Sequence, residues 1–145
     1  MFRGCDVLLT DEDLLTAEAE IGLRLPNPFK EHYRRCNGGI PSRTYYTNAD
    51  AEVTVSSYIP LVSAKGRRTI VDDYRHLVLG HRVAPVELVP FANLVCGDLL
   101  FVDTSTLDGD VVLWRHDTAF EDDRLRSLGV GFDTFLDSLR EKRSE

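Results

Sequence analysis

The sequence predicts a single α+β domain, residues 1–145, in which a mostly antiparallel sheet is flanked by helices. A chain of 145 residues has the usual size of one domain. Its composition, 43% hydrophobic and 28% charged, is that of a globular protein. Patterns typical of two helices, strands, a helix, strands and a helix follow one another, an order that favours an antiparallel sheet over a doubly wound parallel one.

Two amphipathic helices are predicted at the start of the chain. The first is expected to begin after Thr10, because this hydroxyl and the carboxylate of Asp13 can satisfy free backbone N–H groups at a helix start. Gly22 can adopt the left-handed conformation that ends it. The second helix is expected to have Asn27 as its N-cap and Pro28 as its first residue. Its apolar stripe is predicted to consist of Phe29, His32, Tyr33 and Cys36.

The rest of the chain is predicted to supply the sheet and two further helices. Strands are expected where residues alternate in polarity or form short apolar runs. The predicted strands are 44–47, 52–59, 88–92, 99–102 and 111–114. Asp108 and Gly109 are expected to turn the chain between the last two strands. A short middle helix is predicted from Ile70, with Gly80 closing it, and an amphipathic C-terminal helix is predicted around Phe132.

Charge and composition indicate which classes of partner the protein can bind and where in the cell it is located. A formal net charge of −7 argues against direct binding of nucleic acid, which usually requires a basic patch. No apolar run approaches the roughly 20 residues that cross a bilayer, so no membrane partner is expected. The first residues lack the apolar stretch of a secretory signal. We therefore expect a cytoplasmic protein that is a monomer or a weak dimer.

The three cysteines predict neither a disulfide framework nor a zinc site. Cys5, Cys36 and Cys96 are odd in number, widely spaced and without a Cys-x-x-Cys pair. We therefore expect them to be reduced. One interpretation of Cys36 is a nucleophile, since Arg34 and Arg35 precede it and a positive neighbour lowers a thiol pKa. Its place at the end of a helix and on the apolar stripe favours a small core residue instead.

No catalytic, cofactor-binding or metal-binding residues are predicted. The four histidines include no pair spaced four residues apart on a helix, and no Gly-x-Ser-x-Gly, Walker or complete dinucleotide motif occurs. Asp108-Gly109-Asp110 is superficially similar to a calcium loop, but the further ligands of an EF-hand do not follow. A small hydrolase using Cys36 or a pair of aspartates remains an alternative.

Three segments, in order, carry a family resemblance. Residues 18–26 combine an acidic helix with a glycine and a Leu-Pro step, and residues 29–39 combine an aromatic helix with Asn37-Gly38-Gly39. Residues 90–103 hold a strand, the Gly97-Asp98 turn and a strand that ends in aspartate. Together they resemble the SUKH superfamily, which includes the yeast cell wall assembly regulators and many bacterial immunity proteins.

The resemblance implies a SUKH-like immunity or binding domain without catalytic activity. Its partner would be a protein, a cognate toxin domain such as a basic nuclease, which it would bind and neutralise. The alternative is an intracellular regulatory scaffold of the cell wall assembly regulator type. Such a scaffold would carry further contacts in disordered flanks, of which this chain has almost none.

The acidic C-terminal third is the expected interface with a basic toxin. From residue 91 onward there are twelve Asp and Glu against six Lys and Arg. A charged surface of this kind can attract a basic partner, or it can serve solubility alone. The residues predicted to bind the partner are Asp103, Asp108, Asp110, Trp114, Asp117, Phe120 and Asp122.

Overall fold

The structure, a computed structural model, describes residues 2–49, 51–116 and 124–141. In chain order its elements are β1 (Phe2–Arg3), α1 (Asp11–Ile21), α2 (Asn27–Arg35), β2 (Ile40–Pro41), β3 (Tyr45–Thr47), β4 (Glu52–Tyr58), α3 (Ile70–Asp73), a π-helical segment (Tyr74–Gly80), β5 (Leu88–Leu94), β6 (Leu99–Asp103), β7 (Val111–Trp114), β8 (Leu125–Ser127) and α4 (Phe132–Ser138). Strands β3 to β8 form one antiparallel sheet in which each strand pairs with the next in sequence. The predicted α+β class with an antiparallel sheet is confirmed.

The ends of the first two helices follow from local chemistry. Thr10 Oγ1 accepts a hydrogen bond from Asp13 N at 3.1 Å, and Asp13 Oδ2 accepts one from Thr10 N at 2.9 Å, which confirms the capping box. Gly22 ends α1 at φ 76°, as predicted. Helix α2 begins one residue earlier than predicted: Pro26 is its N-cap, because the Pro26 carbonyl accepts the first helical hydrogen bond from Lys30 N. Asn27 therefore makes no cap.

The predicted middle helix exists and ends at Gly80, as predicted, although the glycine is not left-handed. Helix α3 begins at a second capping box, formed by Thr69 and Asp72, and continues into the wider π-helical turns. Gly80 does not take up the left-handed conformation, which occurs instead at Arg82, with φ 53°. Glycine at position 80 allows a close approach, since a Cβ there would lie 3.2 Å from the carbonyl oxygen of Arg75.

Aromatic side chains join the helices to the sheet. Phe29 of α2, Phe91 of β5 and Phe132 of α4 are fully buried, and their ring centroids lie 5.1 to 5.9 Å apart in edge-to-face arrangements. The Tyr33 hydroxyl donates to the carbonyl oxygen of Ile59 at 2.7 Å, so its polar end is satisfied inside the core. The predicted stripe of α2 is buried throughout.

The residues after α4 run along the outer edge of the sheet. Arg140 pairs with β3: its carbonyl accepts hydrogen bonds from Thr44 N at 3.1 Å and Tyr45 N at 2.9 Å, and its N–H donates to the Tyr45 carbonyl at 2.8 Å. At the opposite edge lies β8, a strand that was not predicted.

None of the helices in the described part of the chain combines the length and the apolar character that a membrane span requires.

The leading segment, residues 2–9, corrects the expectation that all three cysteines are reduced. Cys5 and Cys36 form a disulfide, with Cα atoms 5.2 Å apart, a separation within the usual range for such bonds. Pairing of β1 with β2 brings the two residues together although 31 positions separate them in sequence. Spacing rules that look for short Cys motifs cannot detect such a contact. Cys96 is free and exposed.

Candidate protein-binding surface

Three of the predicted partner-binding residues lie together on the loop that joins β6 to β7. Residues 103–110 form this acidic loop, which is closed by a hydrogen bond from Asp103 N to the Asp110 carbonyl at 2.8 Å. Asp103 Oδ1 accepts from Ser105 N at 2.9 Å and from Ser105 Oγ at 2.6 Å. Asp108 is exposed, whereas Asp103 and Asp110 are half-buried. The predicted turn at Asp108 and Gly109 is confirmed, with φ 67° at the glycine.

Hydrogen bonds and close packing fix the backbone of the acidic loop against the rest of the domain. The Asp108 carbonyl accepts a hydrogen bond from Phe132 N at the start of α4, at 3.1 Å. Thr104 donates through both its N–H and its hydroxyl to the Glu87 carbonyl, at 2.9 and 2.7 Å. A Cβ at Gly109 would lie 2.9 Å from Val102 Cγ2, so the backbone packs directly on the core. A loop with so many anchors presents its side chains with little entropy left to lose on binding.

An apolar side chain projects from the middle of this acidic surface. Leu107 is 93% exposed, the most exposed of the large apolar side chains in the described part of the chain. Val86, in the neighbouring loop before β5, is 57% exposed. Leu107 was not among the predicted partner-binding residues. An apolar residue within the polar turn Ser105-Thr106-Leu107-Asp108-Gly109 does, however, indicate an exposed apolar side chain.

Trp114, which with Phe120 as the alternative was the predicted apolar anchor of the interface, lies at the other end of β7 from the acidic loop. Trp114 pairs with Leu99, whereas Val111 and Val102 pair beside the acidic loop. Three residue steps along a strand separate the two positions, roughly 10 Å. Trp114 lies near a turn in which Asp98 Oδ1 accepts from His116 N at 3.1 Å and contacts His116 Nδ1 at 2.5 Å. The other predicted residues, Asp117, Phe120 and Asp122, lie outside the described residues.

Comparison with known families identifies the domain. The family described as SMI1 / KNR4 family (SUKH-1) matches residues 8–138. The chain belongs to this family. The matched range contains α1 to α4, the whole six-stranded sheet and the acidic loop. No curated protein and no solved structure matches the chain at a significant level.

Membership of SUKH-1 confirms the resemblance and the domain class, which includes toxin immunity proteins. Two of the three segments that carried the resemblance, 18–26 and 29–39, contain the end of α1 and most of α2, each with the turn that follows. The third, 90–103, forms the β5–β6 hairpin and ends at Asp103 of the acidic loop. The family range begins after Cys5, so the disulfide joins a residue outside this range to Cys36 within it.

A cleft lies beside the disulfide in this SUKH-1 domain. A cleft of about 710 Å³ is lined by both cysteines of the disulfide, by His32 and by side chains of α2, β2 and α4. Because Cys36 is bonded to Cys5, it has no thiolate in this state, and the thiol version of the hydrolase alternative lacks its nucleophile. The described residues contain no group of three or more potential metal ligands.

Burial controls the charge of His32. The side chain is 8% exposed, and this burial, with a smaller effect of the positive charge of Arg35, lowers the pKa of the imidazole to about 4. In an unfolded chain the same group has a pKa near 6.5. His32 is therefore neutral in the folded domain at neutral pH. It belongs to the core, as the sequence interpretation expected.

His32 is expected to make the domain less stable in mild acid. Between about pH 6.5 and pH 4 the unfolded chain binds a proton that the folded chain does not, so the free energy of unfolding falls as the pH falls, by up to about 3 kcal/mol. Urea unfolding of the wild-type protein and His32→Asn, measured from pH 7.5 to pH 5, should show a smaller slope in the variant. His76→Asn, which changes an exposed histidine, should keep the wild-type slope. Equal slopes in all three proteins would contradict this assignment.

Proposed function

We propose that this SUKH-1 domain is a non-catalytic immunity protein, which binds a cognate toxin domain in the cytoplasm and neutralises it stoichiometrically. The observation that carries the proposal is the preformed acidic loop, with the exposed Leu107 at its centre. The family supports the proposal, because its domain class includes toxin immunity proteins. We propose that the domain acts as a monomer or a weak dimer.

The acidic loop combines negative charge, which attracts a basic toxin, with an apolar side chain that can be buried in the interface. Asp103, Asp108 and Asp110 share this loop with Leu107, and the net charge of the chain is −7. Such a surface accelerates encounter with a basic partner and disfavours acidic ones. A toxin that acts on nucleic acid must itself be basic to bind phosphates, so a domain of this charge can occupy its cleft. Leu107 would then fill an apolar pocket on the toxin, as buried anchors do in other interfaces.

The decisive experiment is co-expression with the toxin domain encoded next to the gene. We expect cell survival and a stoichiometric complex on size exclusion. Asp108→Lys combined with Leu107→Ala is expected to slow association by about 10-fold or more at low salt and to weaken the complex by about 100-fold. Both side chains are exposed, so the fold should be unaffected.

A matched variant distinguishes an effect of the acidic loop on toxin binding from an effect of the net charge of the domain. Glu31→Lys makes the same change of charge on the exposed face of α2 and should bind the toxin nearly as well as the wild type. Equal loss of binding in Glu31→Lys would reject the acidic loop as the interface while leaving the immunity function standing. Cell death with no complex would reject the immunity function and favour the regulatory scaffold.

A further inference from the structure

The leading segment is attached to the domain by two separate sets of contacts. The first set acts on residues 2–5. It consists of two residue pairs, Phe2 with Pro41 and Arg3 with Ile40, and of the disulfide from Cys5 to Cys36. A strand of two residues with two partners is too short to be stable alone. The disulfide is therefore the main attachment of residues 2–5.

The second set acts on the residues that follow. Asp6 N donates to the Asn37 carbonyl at 2.9 Å, and the Asp6 carboxylate accepts from Ala64 N at 2.9 Å and Ser63 Oγ at 2.7 Å. Asn37 Nδ2 donates in turn to the Val7 carbonyl at 3.0 Å. None of these contacts involves sulfur, so they hold the chain from residue 6 onward whatever the state of the cysteines.

The disulfide is open to attack from one side. Cys5 is exposed, whereas Cys36 is 6% exposed, and both line the cleft of about 710 Å³ described above. A small thiol entering from solvent can therefore reach the sulfur of Cys5. Arg35 and Arg43 line the same cleft, and their positive charges can stabilise an approaching thiolate.

We propose that the Cys5–Cys36 disulfide is a redox latch, which a low-molecular-weight thiol opens to release residues 2–5 while residues 6–9 stay docked. The thiolate attacks Cys5 Sγ, forms a mixed disulfide with Cys5 and expels Cys36 as a thiolate, which takes up a proton. A second thiol attacks the mixed disulfide, releases the oxidised dimer of the reductant and leaves Cys5 as a thiol. Two thiols are oxidised for each protein disulfide reduced.

Release of residues 2–5 changes the surface of the domain at two places. Gly4 lines a second cleft, of about 420 Å³, together with Gly39, Tyr58 and Arg67. Cys5 lines the larger cleft. Opening the latch therefore removes a lining residue from each cleft and uncovers Gly39, where a Cβ would lie 2.8 Å from the carbonyl oxygen of Arg3.

The latch is tested first by counting thiols. Protein isolated without reductant and quenched with iodoacetamide should contain one reactive thiol, that of Cys96, and three after treatment with dithiothreitol. Trypsin should then cleave after Arg3 about tenfold faster in the reduced protein, while cleavage after Lys65, in an exposed loop, keeps its rate. Three reactive thiols before reduction, or an unchanged rate after Arg3, would overturn the proposal.

Two cysteine variants and the hydrogen exchange of one backbone amide complete the test. Cys5→Ser, a change at an exposed position, should behave as the reduced protein with or without dithiothreitol, and Cys96→Ser should behave as the wild type. Hydrogen exchange at the Asp6 amide, which donates to the Asn37 carbonyl, should change less than twofold on reduction. Loss of protection at Asp6 would show that the disulfide holds the whole segment and would overturn the division into two sets of contacts.

Discussion

Asn37→Ala is expected to lower the free energy of unfolding by about 3–5 kcal/mol, because the side chain satisfies three backbone groups in the interior. Asn37 is 1% exposed. Its Nδ2 donates one hydrogen to the Val7 carbonyl at 3.0 Å and the other to the Val62 carbonyl at 2.6 Å, and its Oδ1 accepts from Leu61 N at 2.7 Å. Alanine would leave these three backbone groups without their hydrogen-bond partner.

Urea unfolding at neutral pH measures this effect, and two further variants define its cause. Asn37→Asp keeps the shape but turns a double donor into an acceptor that faces two carbonyls, so its loss should be similar. Asn93→Ala removes one long hydrogen bond, 3.3 Å to Ser57 Oγ, and should cost about 1 kcal/mol or less. If Asn37→Ala and Asn93→Ala shift the midpoint equally, the bridging role of Asn37 is wrong.

Phe91→Ala is expected to have a comparable effect, about 3–5 kcal/mol, for a different reason. Phe91 lies at 0% exposure on β5, and its ring faces Phe29 of α2, Tyr58 of β4 and Phe132 of α4, with centroids 5.3 to 5.9 Å away. Alanine would open a cavity where these three elements meet. The surrounding rings are held by separate elements and can collapse into it only in part.

Calorimetric or urea unfolding measures the loss, and the size of the replacement separates packing from other causes. Phe91→Leu fills most of the space and should cost about 1.5 kcal/mol. Leu107→Ala removes an equally apolar side chain that is 93% exposed, and should change the stability by less than about 0.5 kcal/mol. A loss in Phe91→Ala no larger than that in Phe91→Leu would show that the core closes around the gap.

Features set by neighbouring residues could be predicted from the sequence. The capping box of Thr10 and Asp13, the left-handed end at Gly22 and the stripe of α2 depend on contacts within a few positions, and the structure confirms them. Hydrophobic patterns likewise located five strands of the sheet. Strand β8 was missed, because its three residues carry two polar side chains and little alternation.

Features that depend on distant parts of the chain could not be predicted. The disulfide depends on the pairing of β1 with β2, which no local pattern indicates. The acidic residues of the loop and Trp114 were grouped because they are close in sequence, yet a four-residue strand carries Trp114 to the far end of the sheet. The acidic content of the sequence identified the region, but only the structure shows that Leu107, on the same loop as three aspartates, is 93% exposed.

The backbone pairing of Arg140 with β3 affects how molecules of this protein meet one another at high concentration. An unpaired edge strand offers its N–H and carbonyl groups to an identical strand of another molecule, which is a common route to aggregates. Here the N–H and carbonyl of Tyr45 in the three-residue strand β3, and the N–H of Thr44 just before it, are already bonded to Arg140. The domain thus protects one border of its sheet with its own chain, and self-association through β3 would first require the residues after α4 to detach.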